Sequence, residues 1–142
     1  MRSTVPMFPQ VSSGSTAQDY LSLARQYQAA SIFLPDYTGC QINWPAYTLI
    51  FHACELALKA YSQRHAPGVP LPRHSLKRLY AVASTHGLTL PLDSISALDV
   101  LEDMHAEHWP RYSDNRSGPI LDVGALAGDL LETLIRAVSA DF

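Results

Sequence analysis

His52, Glu55 and Lys59 stand at i, i+3 and i+7 of the segment WPAYTLIFHACELALKAY (Trp44–Tyr61), so on a helix they share one face. An imidazole can move protons, a carboxylate can orient a cation, and an ammonium can meet an anion. The rest of the segment is apolar almost all the way round, the pattern of a central helix enclosed by others. A carboxylate there is costly to bury unless something pairs with it. Two readings follow. Glu55 and Lys59 form a helix-surface ion pair worth about 0.3–0.5 kcal/mol, or the stripe is a partly buried polar network facing a groove or a partner subunit.

A second candidate is the polar turn Arg111-Tyr112-Ser113-Asp114-Asn115-Arg116. Two arginines flanking an acid and an aromatic can grip a phosphate and stack a base. The alternative is an ordered loop in which Asp114 pairs with a neighbouring arginine. His105-Ala-Glu-His108 puts two imidazoles one turn apart. Zinc needs further ligands, and neither H-E-x-x-H nor H-x-x-E-H is met, so no metal and no cofactor are expected. Histidines near a helix C-terminus also favour its dipole. Cys54 lies in apolar surroundings that raise a thiol pKa, which argues against a nucleophile. A Gly-rich phosphate loop and a G-x-S-x-G elbow are both absent from the sequence.

Helix signals recur about five times, separated by prolines. Ser15-x-x-Gln18 and Thr16-x-x-Asp19 both fit a capping box, and Tyr20, Leu23, Ala24 and Tyr27 predict the first helix's inward stripe. Pro35, Asp36, Gly39 and Asn43 make a loop, and Pro45 suits the first turn of the central helix. That helix must stop before Pro67-Gly68-Val69-Pro70-Leu71-Pro72. The third begins around Arg73–Ser75, carries Leu76, Leu79, Tyr80 and Ala83 inward, and stops at Gly87. Asp93 and Ser94 are expected to cap the fourth, whose apolar positions are Ile95, Leu98, Leu101 and Met104. The last runs from about Asp122 to Ala140 with Val123, Leu126, Ala127, Leu130, Leu134 and Val138 inward. Its Gly124 and Gly128 predict close approach of another backbone, within the chain or across a dimer. The expected fold is an all-α bundle, with residues 1–14 a loose arm and 15–142 one domain.

Bulk properties narrow the function. With 47% hydrophobic and 16% charged residues, the chain has ordinary globular composition. A net charge of −3 argues against a broad face for duplex DNA, while leaving room for a local arginine cluster on RNA. Two cysteines do not make a disulfide framework, which points to a reduced, cytoplasmic setting. Neither a membrane span nor a signal peptide is evident.

Three segments in order resemble the HEPN superfamily: ELALKAY (Glu55–Tyr61), HSL (His74–Leu76) and RYSD (Arg111–Asp114). In that family a helix ending E-x-x-LKA precedes H-[DS]-L and then RYPD; Ser113 here replaces the proline. The resemblance covers about residues 15–140. It implies an up-and-down helical bundle that commonly forms homodimers, often within toxin–antitoxin or defence systems. Many members are metal-independent ribonucleases with an arginine followed four to six residues later by histidine, and with a polar central-helix residue close by, at the position of Glu55. Others bind nucleotides or partners without catalysis.

This chain departs from the nuclease pattern: Arg78 and His86 come nearest, with seven residues between them, and they lie in the wrong helix. The leading expectation is therefore a non-catalytic HEPN-like domain that binds a nucleotide, RNA or a cognate protein. Glu55, Arg111 and Tyr112 head its site: Arg111 meets a phosphate, Tyr112 stacks, and Glu55 orients the arginine. Asp114 and Arg116 stand beside them. The alternatives are a divergent ribonuclease that draws its proton-transfer group from His52 or His74, and a helical ligand-binding or oligomerisation module.

Overall fold

The computed structural model describes residues 16–33, 37–38, 41–42, 44–108, 126–140 and 142. Five helices account for most of them: α1 (Ala17–Ile32), α2 (Trp44–His65), α3 (Leu76–Thr85), α4 (Leu92–His108), and α5, which opens as a π-helical turn (Leu126–Leu131) and continues as α-helix (Glu132–Ser139). Between α1 and α2 two short strands, β1 (Tyr37–Thr38) and β2 (Gln41–Ile42), pair antiparallel. The expected all-α bundle is what forms.

The longest helix, α2, packs against all four others. Its apolar circumference explains this: Ile50, Phe51, Ala53, Cys54, Ala57, Leu58 and Ala60 are completely buried. Each large side chain removed from water contributes about 1.5–3 kcal/mol, so α2 is the element around which the others assemble. Leu76 and Leu79 from α3, Leu98, Leu101 and Met104 from α4, and Leu130, Leu131 and Leu134 from α5 complete the same core.

Local chemistry sets the helix ends. Thr16 caps α1 with a full capping box, its hydroxyl accepting from the Asp19 N–H while Asp19 accepts from the Thr16 N–H. Helix α2 stops at His65, two residues before Pro67. Ser75 caps α3 by accepting from the Arg78 N–H. The far end of α3 closes in a Schellman motif: the Leu88 N–H donates to Ala83 O and the Gly87 N–H to Ser84 O, with Leu88 and Ala83 both buried. Gly87 makes that turn with φ +109°. The Tyr61 hydroxyl donates to His86 O at 3.0 Å and so pins the turn to α2.

Four expectations change. In α1 the buried face is Leu21, Ala24 and Ser31, while Leu23 is 37% exposed; two phases of the same 3.6-residue period were open, and the realised one leaves Tyr20 and Tyr27 half-buried at the flanks. Helix α4 starts at Leu92, with Pro91 O accepting from the Ser94 and Ile95 N–H groups. Asp93 and Ser94 thus lie inside the first turn, too late to cap it. The π-helical turn brings Leu131 and Ile135 inward beside the predicted Leu130, Leu134 and Val138. Finally, Gly128 is exposed and a methyl group there would meet nothing within 4 Å, so among the described residues no backbone approaches it. Gly124 lies outside the described residues, as do residues 1–14.

The two glycines separate cleanly by experiment. Gly87→Ala forces a side chain into positive φ, 3.1 Å from the Tyr61 hydroxyl, and should cost about 1–2 kcal/mol. Gly128→Ala should be neutral or stabilise by up to about 1 kcal/mol. Urea unfolding of both variants checks the pair, and a loss at Gly128 matching that at Gly87 would refute the assignment.

Candidate functional site

The polar stripe of α2 is a network, and Glu55 is its centre. The residue is only 4% exposed. One carboxylate oxygen, Oε1, faces His52 Nδ1 at 3.4 Å. The other, Oε2, meets Lys59 Nζ at 3.2 Å, His74 Nδ1 at 3.1 Å and the His74 backbone N–H at 3.2 Å. An ionised carboxylate only accepts, so Nδ1 of both rings carries its proton and Nε2 of each points elsewhere. The helix-surface ion pair is thereby replaced by a buried carboxylate with four nitrogens within 3.4 Å.

Burial alone would push the Glu55 carboxyl up. The His52 hydrogen bond, the charge and hydrogen bond of Lys59, and the His74 imidazole overcome that and lower it to about 2. Glu55 therefore stays ionised throughout the neutral and mildly acid range.

The second arm of the cluster comes from the α2–α3 connector. His74 takes φ 57°, a left-handed conformation costing a non-glycine residue about 1–2 kcal/mol. Its double attachment to Glu55 Oε2 offsets that strain. The three residues of HSL divide the labour: His74 reaches Glu55, Ser75 caps α3, and Leu76 is fully buried in the core. Side-chain exposure falls from 67% at His74 to 35% at His52 and 22% at Lys59, so the network opens to solvent on the imidazole side.

From α4 comes a residue that the sequence reading left outside this site. The His105 ring lies flat on Phe51, centroids 3.9 Å apart and planes at 9°, and presents itself edge-on to His52 at 6.2 Å. Burial first, then the positive field of His52, lowers its pKa; Glu55 opposes this, His74 adds a smaller lowering, and Glu102 opposes least. Glu102, three residues earlier, accepts from the Ser75 hydroxyl at 3.2 Å and the Lys77 N–H at 2.9 Å, and so occupies the N-terminus of α3. The HAEH spacing was legible, whereas a His105–Phe51 stack between α4 and α2 leaves no local trace. Among the described residues, no three His, Cys, Asp or Glu side chains are grouped to hold a metal ion. Cys54 is completely buried, which pushes its thiol far up and leaves it unreactive.

Of the predicted site residues, His52, Glu55 and His74 come together. Arg111, Tyr112, Asp114 and Arg116 lie outside the described residues. No family model, curated protein or solved structure matches this chain. None of the described helices is long and apolar enough to cross a membrane.

The two shifted groups give a two-stage acid response. Unfolded His105 takes up a proton near 6.5 that the folded site resists, so stability should fall as pH drops below that value. Unfolded Glu55 protonates near 4.5 while the folded carboxylate holds to about 2, so a second loss should follow across that window. Urea midpoints measured against pH should lose the first stage in His105→Gln and the second in Glu55→Gln. Glu55→Ala, which strands its cationic partners, should cost about 3 kcal/mol at neutral pH. Profiles identical in wild type and both glutamine variants would overturn the account.

Proposed function

We propose that this protein is a HEPN-like helical domain that binds a phosphate-bearing ligand, RNA or a nucleotide, beside the Glu55 cluster without cleaving it. One observation carries the reading: two of the three segments behind the resemblance meet, through the contacts of Glu55 with His74 and Lys59. In the third segment, two residues, Trp109 and Pro110, separate Arg111 from His108, the last residue of α4, so the chain allows at most about 11 Å between them. In this reading Arg111 meets the phosphate, Tyr112 stacks on a base, and homodimerisation accompanies binding.

Absence of cleavage follows from two features. The sequence lacks the Arg–His spacing of the nuclease members. Glu55, with a pKa lowered to about 2 and four nitrogens within 3.4 Å of its oxygens, is no proton acceptor at neutral pH. A second reading, a divergent metal-independent ribonuclease, is favoured by His74 itself. Glu55 fixes its tautomer while 67% of the side chain remains exposed, the arrangement of an oriented general acid–base.

The deciding experiment incubates single-stranded RNA with purified protein, with and without EDTA, and measures binding in parallel by fluorescence anisotropy. Intact RNA, with binding weakened about tenfold or more in Arg111→Ala, is the expected result. Cleavage that survives EDTA and disappears in His74→Ala would establish the nuclease instead. Failure of the folded wild type to bind RNA or a nucleotide would sink both readings.

A further inference from the structure

Two imidazoles, His52 and His74, contact one buried carboxylate, and a third, His105, stands beside His52 with ring centroids 6.2 Å apart. His52 comes from α2, His74 from the connector and His105 from α4. With Glu55 and Lys59 cancelling each other, the charge of this cluster is set by how many of its rings are protonated. The groups around it are few. From α1, Tyr27 places its ring 5.8 Å from that of His52. From α2 come Glu55 and Lys59. From α4, Glu102 acts on His105 but is already engaged by Ser75 and Lys77 at the start of α3. On α3 itself, Lys77 pairs with Asp103. From α5, Glu132 is held by Gln28 and Arg136. Among the described residues, Glu55 is the carboxylate in contact with His52 and His74, and it has one negative charge to offer.

We propose that this cluster couples phosphate binding to proton uptake: His52, His74 and His105 charge together when a phosphoanion arrives, and release it as they lose their protons. The inference rests on the phosphate-binding reading above and adds its regulation. The physical reason is repulsion between charged rings. His52 and His105 are 6.2 Å apart by ring centroid, so a positive charge on His52 disfavours the cationic form of His105. An anion placed between solvent and the cluster neutralises the excess charge and removes that repulsion. Linkage then requires the converse, that protonation tightens binding of the anion. Orientation favours the same outcome, because Nδ1 of His52 and of His74 is committed to Glu55 while Nε2 of each is left to donate to a ligand when the ring is charged.

The test titrates two probes, a short single-stranded RNA by fluorescence anisotropy and inorganic pyrophosphate by calorimetry, at about pH 5.5 and about pH 7.5. Wild type is compared with the double variant His52→Gln/His74→Gln, whose amides still donate to Glu55, and with His86→Gln, a histidine at the C-terminal end of α3 away from the cluster. Circular dichroism verifies folding of each. One linked proton changes affinity up to about tenfold per pH unit, so binding about tenfold or more tighter at the lower pH is expected. That dependence should vanish in the double variant and persist in His86→Gln. Binding of equal strength at both pH values would overturn the coupling while leaving the phosphate-binding reading intact. A pH dependence surviving in the double variant would overturn it too, as a property of overall charge. Coupled binding of pyrophosphate without RNA would support the inference and remove RNA from the functional reading. If neither probe binds at either pH, both fail.

Discussion

The buried carboxylate of Glu55 is the constraint on which the rest of the structure turns. A charge in the middle of an apolar helix is tolerable only when polar partners surround it, and four nitrogens stand within 3.4 Å of its oxygens here: two imidazole nitrogens, one ammonium and one backbone amide. Two of those nitrogens belong to a residue nineteen positions downstream. The requirement therefore reaches beyond α2 and dictates where the proline-rich connector must return. His74 accepts a left-handed backbone to make that return, and Ser75 and Leu76 then launch α3 directly from it. Electrostatic satisfaction of one side chain and the placement of a whole helix are the same event.

What was legible in the sequence was local. The Thr16 capping box, Pro45 in the first turn of α2, and the Gly87 stop each depend on residues within one helical turn. All three form as their chemistry demands. The His52–Glu55–Lys59 stripe was legible because i, i+3 and i+7 share a face whatever surrounds the helix. Phase and register were harder. In α1, Ala24 belongs to both candidate stripes, and only the shape of the facing helix selects Leu21 over Leu23. The π-helical opening of α5 has no residue that requires it. Contacts between helices were not legible at all: nothing near His105 announces that its ring will stack on Phe51, and nothing near Glu102 announces that it will seat on the start of α3. At Gly128 the small residue permits a close approach within the chain without compelling one: among the described residues nothing comes within 4 Å of a methyl group there.

The sequence assigned Glu55 to orient Arg111 and His52 or His74 to proton transfer in the alternative reading; the geometry adds how each is held. In the folded chain Glu55 is the most buried and the most fully coordinated, with a pKa held near 2; it organises and does not titrate. The imidazoles are the adjustable members, because they stand at the solvent side and each keeps one ring nitrogen clear of Glu55. A fixed negative charge surrounded by switchable positive ones suits ligand capture. It would suit proton transfer equally well if a second cation were held against the same phosphate. Whether Arg111 supplies that cation is what distinguishes a binding domain from an enzyme. The cluster supplies oriented imidazoles, and in the proposed reading the phosphate contact itself falls to Arg111. That division makes binding the more economical conclusion from the residues at hand, because neutralising a phosphate and moving a proton require two separate groups, and the Glu55 network commits its carboxylate to neither.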